Sequence, residues 1–181
     1  MKHLLSLLAL CCLSGVLHAD QNAPELADLF TALQNTRDPI TAAPIEARIW
    51  NLWVQHDDPA AARLMAQGLA QESSGALEAA VATFSQLIAQ EPDFAEAWNR
   101  RATLHYLLGN YAASKADIDQ VLKLEPYHFG ALSGLGLVHV ALGEYFQARS
   151  AFNAALEVNP SMEAVRANLR ELDRVLEGQA I

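Results

Sequence analysis

The chain has only two cysteines, Cys11 and Cys12, side by side near its start. Both fall in the leader read below. Once that leader is removed, nothing remains to form a disulfide, a thiolate metal site or a cysteine nucleophile. Cations are also scarce, with 12 Lys and Arg against 21 Asp and Glu and a formal charge of −9. Loss of Lys2 with the leader takes the charge from −9 to −10. Such a surface repels phosphate backbones and anionic lipid headgroups, so nucleic acid is not an expected partner. Catalytic motifs are missing as well: there is no C-x-x-C-H, no G-x-S-x-G and no phosphate loop. Aromatics make up 7%, and Gly and Pro number 9 and 7 in 181 residues. What fills the chain is Ala and Leu, and that composition favours helix, because Ala loses no side-chain entropy there and Leu little.

The first residues have the organisation of an export signal. Met1-Lys2-His3 is a short basic start, and Leu4 to Leu17 is apolar apart from Ser6, Ser14 and Gly15. Ala19 is a small residue at the expected cut, and Asp20 would open the mature chain. The apolar run is shorter than the ~20 residues a membrane-spanning helix needs. Cleavage is therefore expected over anchoring, with no stable membrane insertion afterwards. The periplasm is the expected destination, and secretion is the alternative.

A 34-residue period then governs the sequence. Pro92, Pro126 and Pro160 follow it, as do Gly75, Gly109 and Gly143. So do Leu77, Tyr111 and Tyr145, then Ala80, Ser114 and Ala148, then Phe84, Ile118 and Phe152. Leu64, Trp98 and Leu132 are each followed four residues later by a small residue: Gly68, Ala102, Gly136. The repeated Gly ends one helix in a left-handed turn, and the repeated Pro closes the next. Apolar residues between them recur at helical spacing, as in Tyr111, Ser114, Ile118, Val121 and Leu122. Leu64, Trp98 and Leu132 are expected to fill the gap between paired helices. A single pair cannot bury its apolar face alone, so the pairs must stack.

At these positions the chain resembles the tetratricopeptide repeat (TPR) family. The resemblance covers about residues 61–162, and the stretches "WNRRATLHYLLGNYAASKADIDQVLKLEP" and "IEARIWNLW" are similar to those of exported proteobacterial TPR proteins. It implies an all-α, right-handed solenoid of antiparallel helix pairs in three repeats, 61–94, 95–128 and 129–162. Before them, residues 1–19 are the leader and 20–60 carry two extra helices, over 24–33 and 44–55, broken by a linker at 36–43 that holds Asp38-Pro39. Trp50 and Trp53 are expected to cap the front of the solenoid. After the repeats, residues 163–181 carry an amphipathic capping helix with Val165, Leu169, Leu172, Val175 and Leu176 along one side.

The resemblance also implies a concave groove lined by the first helix of each pair. The residues expected there are Met65, Leu69, Asn99, Arg100, Thr103, Tyr106 and Leu137, with Tyr127 and His128 at the rim. Arg and Tyr are residue types that tend to dominate binding energy, and Met adapts to its contacts. The expected function is a periplasmic, non-catalytic module that holds a protein or peptide, acting as a monomer. The rival occupant of the groove is the chain's own first helix, around Leu26, Leu29, Phe30 and Leu33. Some TPR proteins clamp a C-terminal carboxylate with Lys, Asn and Arg. That clamp maps onto Met65, Leu69, Arg100, Gly130 and Gly134, of which only Arg100 is basic, so it is not present. No catalytic residue, metal or cofactor is expected; His105 and His139 occupy equivalent repeat positions and are read as packing residues. Charged residues on the second helices are read as a solvated face. Alternatives are an accessory factor in envelope or cytochrome assembly, and a self-assembling structural protein.

Overall fold

The computed structural model describes residues 24–179, and the leader expected over residues 1–19 lies outside them. Among the described residues there are nine helices and no strand: α1 (Leu26–Gln34), α2 (Pro39–Trp53), α3 (Pro59–Ser73), α4 (Leu77–Gln90), α5 (Ala95–Leu107), α6 (Tyr111–Leu124), α7 (Phe129–Ala141), α8 (Tyr145–Val158) and α9 (Glu163–Gln179). Helices α3/α4, α5/α6 and α7/α8 form three stacked antiparallel pairs, and α9 packs on α8 at the end of the stack.

Each periodic residue has a local job. Gly75, Gly109 and Gly143 have φ of 78°, 76° and 74°, the left-handed turn that glycine takes without a Cβ penalty. The turn closes the same way three times. The Gly75 amide donates to the Glu72 carbonyl at 3.0 Å and the Ala76 amide to the Gln71 carbonyl at 2.9 Å, with the same pair of bonds at Gly109/Asn110 and Gly143/Glu144. At the other turn, Glu91, Glu125 and Asn159 are extended at φ near −130°, as a residue before proline must be.

The core repeats a volume trade. Gly68 and Gly136 each face a phenylalanine ring, Phe84 and Phe152; a Cβ on Gly68 would lie 2.6 Å from Phe84 Cζ, and one on Gly136 would collide with Cε1, Cδ1 and Cζ of Phe152. The middle repeat has Ala102 and Ile118, both buried, at the equivalent positions. A smaller residue is matched by a larger one across the pair each time. Trp98 packs against the clusters of both its own and the preceding pair. It therefore seals the joint between repeats as well as the space inside one.

The N-terminal hairpin departs from expectation. Helix α2 starts at Pro39, not Pro44, because Asp38 caps it by accepting from the Ile40 and Thr41 amides at 3.3 and 3.1 Å. Pro44 is carried inside the helix near its start. Its missing N–H would have served the carbonyl of Ile40, an exposed residue that water can satisfy. The same Asp-Pro device recurs at Asp58-Pro59, where Asp58 accepts from the Ala60 and Ala61 amides at 2.5 and 3.1 Å.

Trp50 and Trp53 do not cap the front of the solenoid. Helix α2 lies along the edge formed by the inter-repeat turns and runs backwards over them. Glu46 accepts from Asn159 Nδ2 and Ser161 Oγ at the third turn, both at 2.8 Å. Trp53 stacks on His128 at the second, ring centroids 3.9 Å apart and 9° from parallel. His56, just past the helix, meets Phe94 at the first, with centroids 4.9 Å apart. Helix α1 closes over α2, burying Leu26 and Leu33 with Ile49, Leu52, Phe129 and Val158.

Candidate functional site

The inner walls of the solenoid are α3, α5, α7 and α9. Stepping by the 34-residue period places their inward residues in columns: Ala66, Arg100, Gly134 and Asn168; Leu69, Thr103, Leu137 and Glu171; Glu72, Tyr106, Val140 and Arg174. Two clefts open between these walls. The first, about 70 Å³, lies between α5 and α7 and is lined by Asn99, Thr103, Tyr106, Gly134 and Leu137 over Ser114 and Ile118. The second, about 200 Å³, lies between α7 and α9 and is lined by Leu137, Val140, Asn168, Glu171 and Val175 with Tyr145 over Phe152. Adding 34 to Thr103, Tyr106, Gly134 and Ile118 of the first cleft gives Leu137, Val140, Asn168 and Phe152 of the second. They are one site, built twice.

The corresponding space between α3 and α5 holds the Arg100 side chain. Arg100 stands where Gly134 leaves the first cleft open. Its Nε donates to Glu96 Oε1 at 2.6 Å, its Nη1 lies 3.8 Å from Glu72 Oε2, and its guanidinium sits 5.7 Å from the Trp50 ring centroid. Trp50 reaches this point because Gly130 has no side chain; a Cβ there would lie 2.6 Å from the indole. The chain's own occupant of the groove end is thus α2 through Trp50. The first helix does not fill the groove, since no α1 residue lines either cleft.

Beneath Arg100 lies a buried polar network that sequence reading missed. Glu96 is 1% exposed. Its Oε2 accepts from Asn99 Nδ2 at 2.9 Å and from His128 Nε2 at 3.0 Å. His128 Nδ1 accepts from the Ala131 amide at 3.1 Å. An amide can only donate, so the ring proton sits on Nε2 and is directed at Glu96. Burial pushes the Glu96 carboxyl up, but the His128 hydrogen bond and the Arg100 charge outweigh it and hold it below the usual range.

The expected groove residues therefore separate. Leu69, Arg100, Thr103, Tyr106 and Leu137 face the concave side. Met65 is 2% exposed in the core of the first repeat and contacts no ligand surface. Asn99 is buried, forming the floor of the first cleft and holding Glu96. His128 is fully buried, not at a rim; its ring is a cap for α7 and a platform for Trp53. Tyr127 lies on another surface, beside Phe30 of α1. Asp117, read as part of a solvated face, is buried in a two-point ion pair with Arg101 at 2.7 and 2.8 Å, and His105 Nε2 lies 3.9 Å away. Its sequence signal is the shift of a charge onto the inner stripe of α6, next to Ile118.

A second feature missed from sequence is Glu125, in the open cavity of about 380 Å³ bounded by Leu26, Phe30, Gln34 and Tyr127. Burial raises its carboxyl to about 7, and the Trp53 indole only partly offsets that.

Comparison with known proteins agrees with this architecture. The tetratricopeptide repeat family model matches residues 65–128 and 108–163. A TPR repeat-containing protein of Rhizobium etli is 38% identical over 99 residues, 52% of this chain and 46% of that protein, so the chain spans less than half of the relative's length. Among solved structures, the Sgt2 TPR domain from Aspergillus fumigatus aligns with a TM-score of 0.65 and 21% identity, covering 68% of this chain and 83% of that one. The first TPR domain of Spaghetti (RPAP3), bound to the HSP90 peptide SRMEEVD, aligns with a TM-score of 0.63 and 20% identity over 65% of this chain and 93% of that one. The matched residues take in the three glycine turns and the three proline stops, and the chain belongs to the tetratricopeptide repeat family.

Proposed function

We propose that the protein is a periplasmic interaction module that holds a protein or peptide segment against α5, α7 and α9 and carries out no chemistry of its own. The observation that carries this reading is the pair of register-equivalent clefts, whose walls present Thr103, Tyr106, Leu137, Val140 and Val175. A surface with apolar pockets and a few polar anchors suits an extended ligand. The RPAP3 domain, of similar fold, holds a peptide. The strongest polar groups near the groove are already engaged: Glu96, His128 and Arg100 satisfy one another, which suits a structural role better than acid-base catalysis. Export is supported by the basic start, the apolar run and the Ala19-Asp20 junction. The polar outer residues of α9, including Glu163 and Arg170, suit a capped monomer.

Cell fractionation with N-terminal sequencing tests the location, with a start at Asp20 in the periplasmic fraction as the expected result. A photo-crosslinking residue at Thr103 should trap a partner that the same residue at Ala82, exposed on α4, does not. Equal trapping from both positions would remove the groove from the reading.

A further inference from the structure

The charges on the concave face select among peptide ligands, and this step rests on the groove reading above. Helices α3, α5, α7 and α9 place two cations in the inward columns, Arg100 and Arg174. Neither is free. Arg100 is held between Glu96 and Glu72, and Arg174 Nη2 is 2.5 Å from Glu171 Oε2. The five groups together carry two positive and three negative charges on a chain whose formal charge is −9. An acidic ligand reaching Arg100 meets the Glu96 and Glu72 carboxylates that already flank the guanidinium. The face attracts apolar side chains and basic flanks, and repels carboxylates.

The two clefts add a spacing. They share α7 as a wall, through Leu137, so they are about one helix-packing distance apart, roughly 8–10 Å. An extended polyproline-type chain repeats its side-chain direction every three residues, about 9 Å along its axis. We propose that the groove ligand is an internal, non-acidic extended segment with apolar residues at i and i+3. The smaller of these enters the Gly134 cleft and the larger enters the Val140–Val175 cleft, and the segment has no terminal carboxylate in the site.

Selection of random peptide libraries on the purified mature protein tests this. One library displays internal segments, and the other ends in a free carboxylate. The binding partner of each selection is then compared on the wild type and on Gly134→Leu. That variant fills the first cleft, and its Cβ meets Ile118 Cδ1 at an ordinary 3.6 Å, so the helix accepts it. Gly134→Ala provides a smaller plug, and circular dichroism checks both folds. The expected result is enrichment from the internal library of apolar pairs three apart with Asp and Glu depleted. Binding should weaken at least ~10-fold with Gly134→Leu and with a Glu inserted between the two apolar residues. Enrichment of acidic or carboxylate-ended peptides that Gly134→Leu abolishes would overturn this inference and leave the groove reading standing. Peptides from neither library responding to Gly134→Leu would overturn both.

Discussion

The glycine–phenylalanine pairs allow a sharp test of how the repeats pack. Gly136 lies against the ring of Phe152, which is fully buried. Replacing Gly136 with Ala gains ~1 kcal/mol of helix propensity, but the new methyl must displace a packed ring. Overpacking of this kind costs about 1–3 kcal/mol. With three ring atoms closer to the Cβ than real contacts allow, the upper half applies, for a net loss of about 1–2 kcal/mol. Phe152→Ile alone leaves an unfilled space and should lose about 1–3 kcal/mol. The double change recreates the Ala102/Ile118 arrangement of the middle repeat. It should therefore fall within ~1 kcal/mol of the parent, a coupling energy of about 2 kcal/mol between the two sites. Urea melts of the four proteins, followed by far-UV circular dichroism, measure this directly. If the double variant's loss equals the sum of the singles within ~0.5 kcal/mol, the volume-trade explanation of the periodic small residue is wrong.

Three further outcomes follow from the hairpin edge. Glu125 has its carboxyl raised from 4.5 to about 7 in the fold, so its contribution to stability is complete below pH ~4.5 and is lost as the pH rises through 7. The shift corresponds to ~3 kcal/mol at most, and partial exposure reduces it to about 1–2 kcal/mol. Glu125→Gln should flatten the urea midpoint between these pH values, and an unchanged slope would refute the assignment. His128→Ala removes the donor to Glu96, the cap on α7 and the ring under Trp53 together. It should cost about 3–5 kcal/mol, measured by thermal unfolding; a loss under ~1 kcal/mol would mean the network is dispensable. Gly130→Val should expel Trp50, because even a Cβ there collides with the indole. A red-shifted tryptophan emission with helix content retained is expected, and an unmoved spectrum would place Trp50 elsewhere.

The repeats were legible because each of their marks is a local backbone requirement. Gly75, Gly109 and Gly143 must take positive φ, and Pro92, Pro126 and Pro160 must follow an extended residue. Neither need depends on what lies far along the chain. The family resemblance named the helices of the inner walls, and helical spacing then picked out Thr103, Tyr106 and Leu137 on them. The hairpin was misread where the cue was ambiguous. Asp38-Pro39 both breaks a helix and begins one, and only the capping bonds to Ile40 and Thr41 decide which.

The sequence by itself therefore determined the solenoid and its three-pair length, since a 34-residue period leaves the chain few other ways to bury its apolar stripes. Tertiary structure decided which inward residues are available. Met65 and His128 vanish into the core, Arg100 is claimed by Glu96 and Glu72, and Trp50 takes the groove's end. Those contacts join α2 to turns as far as 115 residues away along the chain. No local pattern encodes them, because they depend on where a separate helix comes to rest.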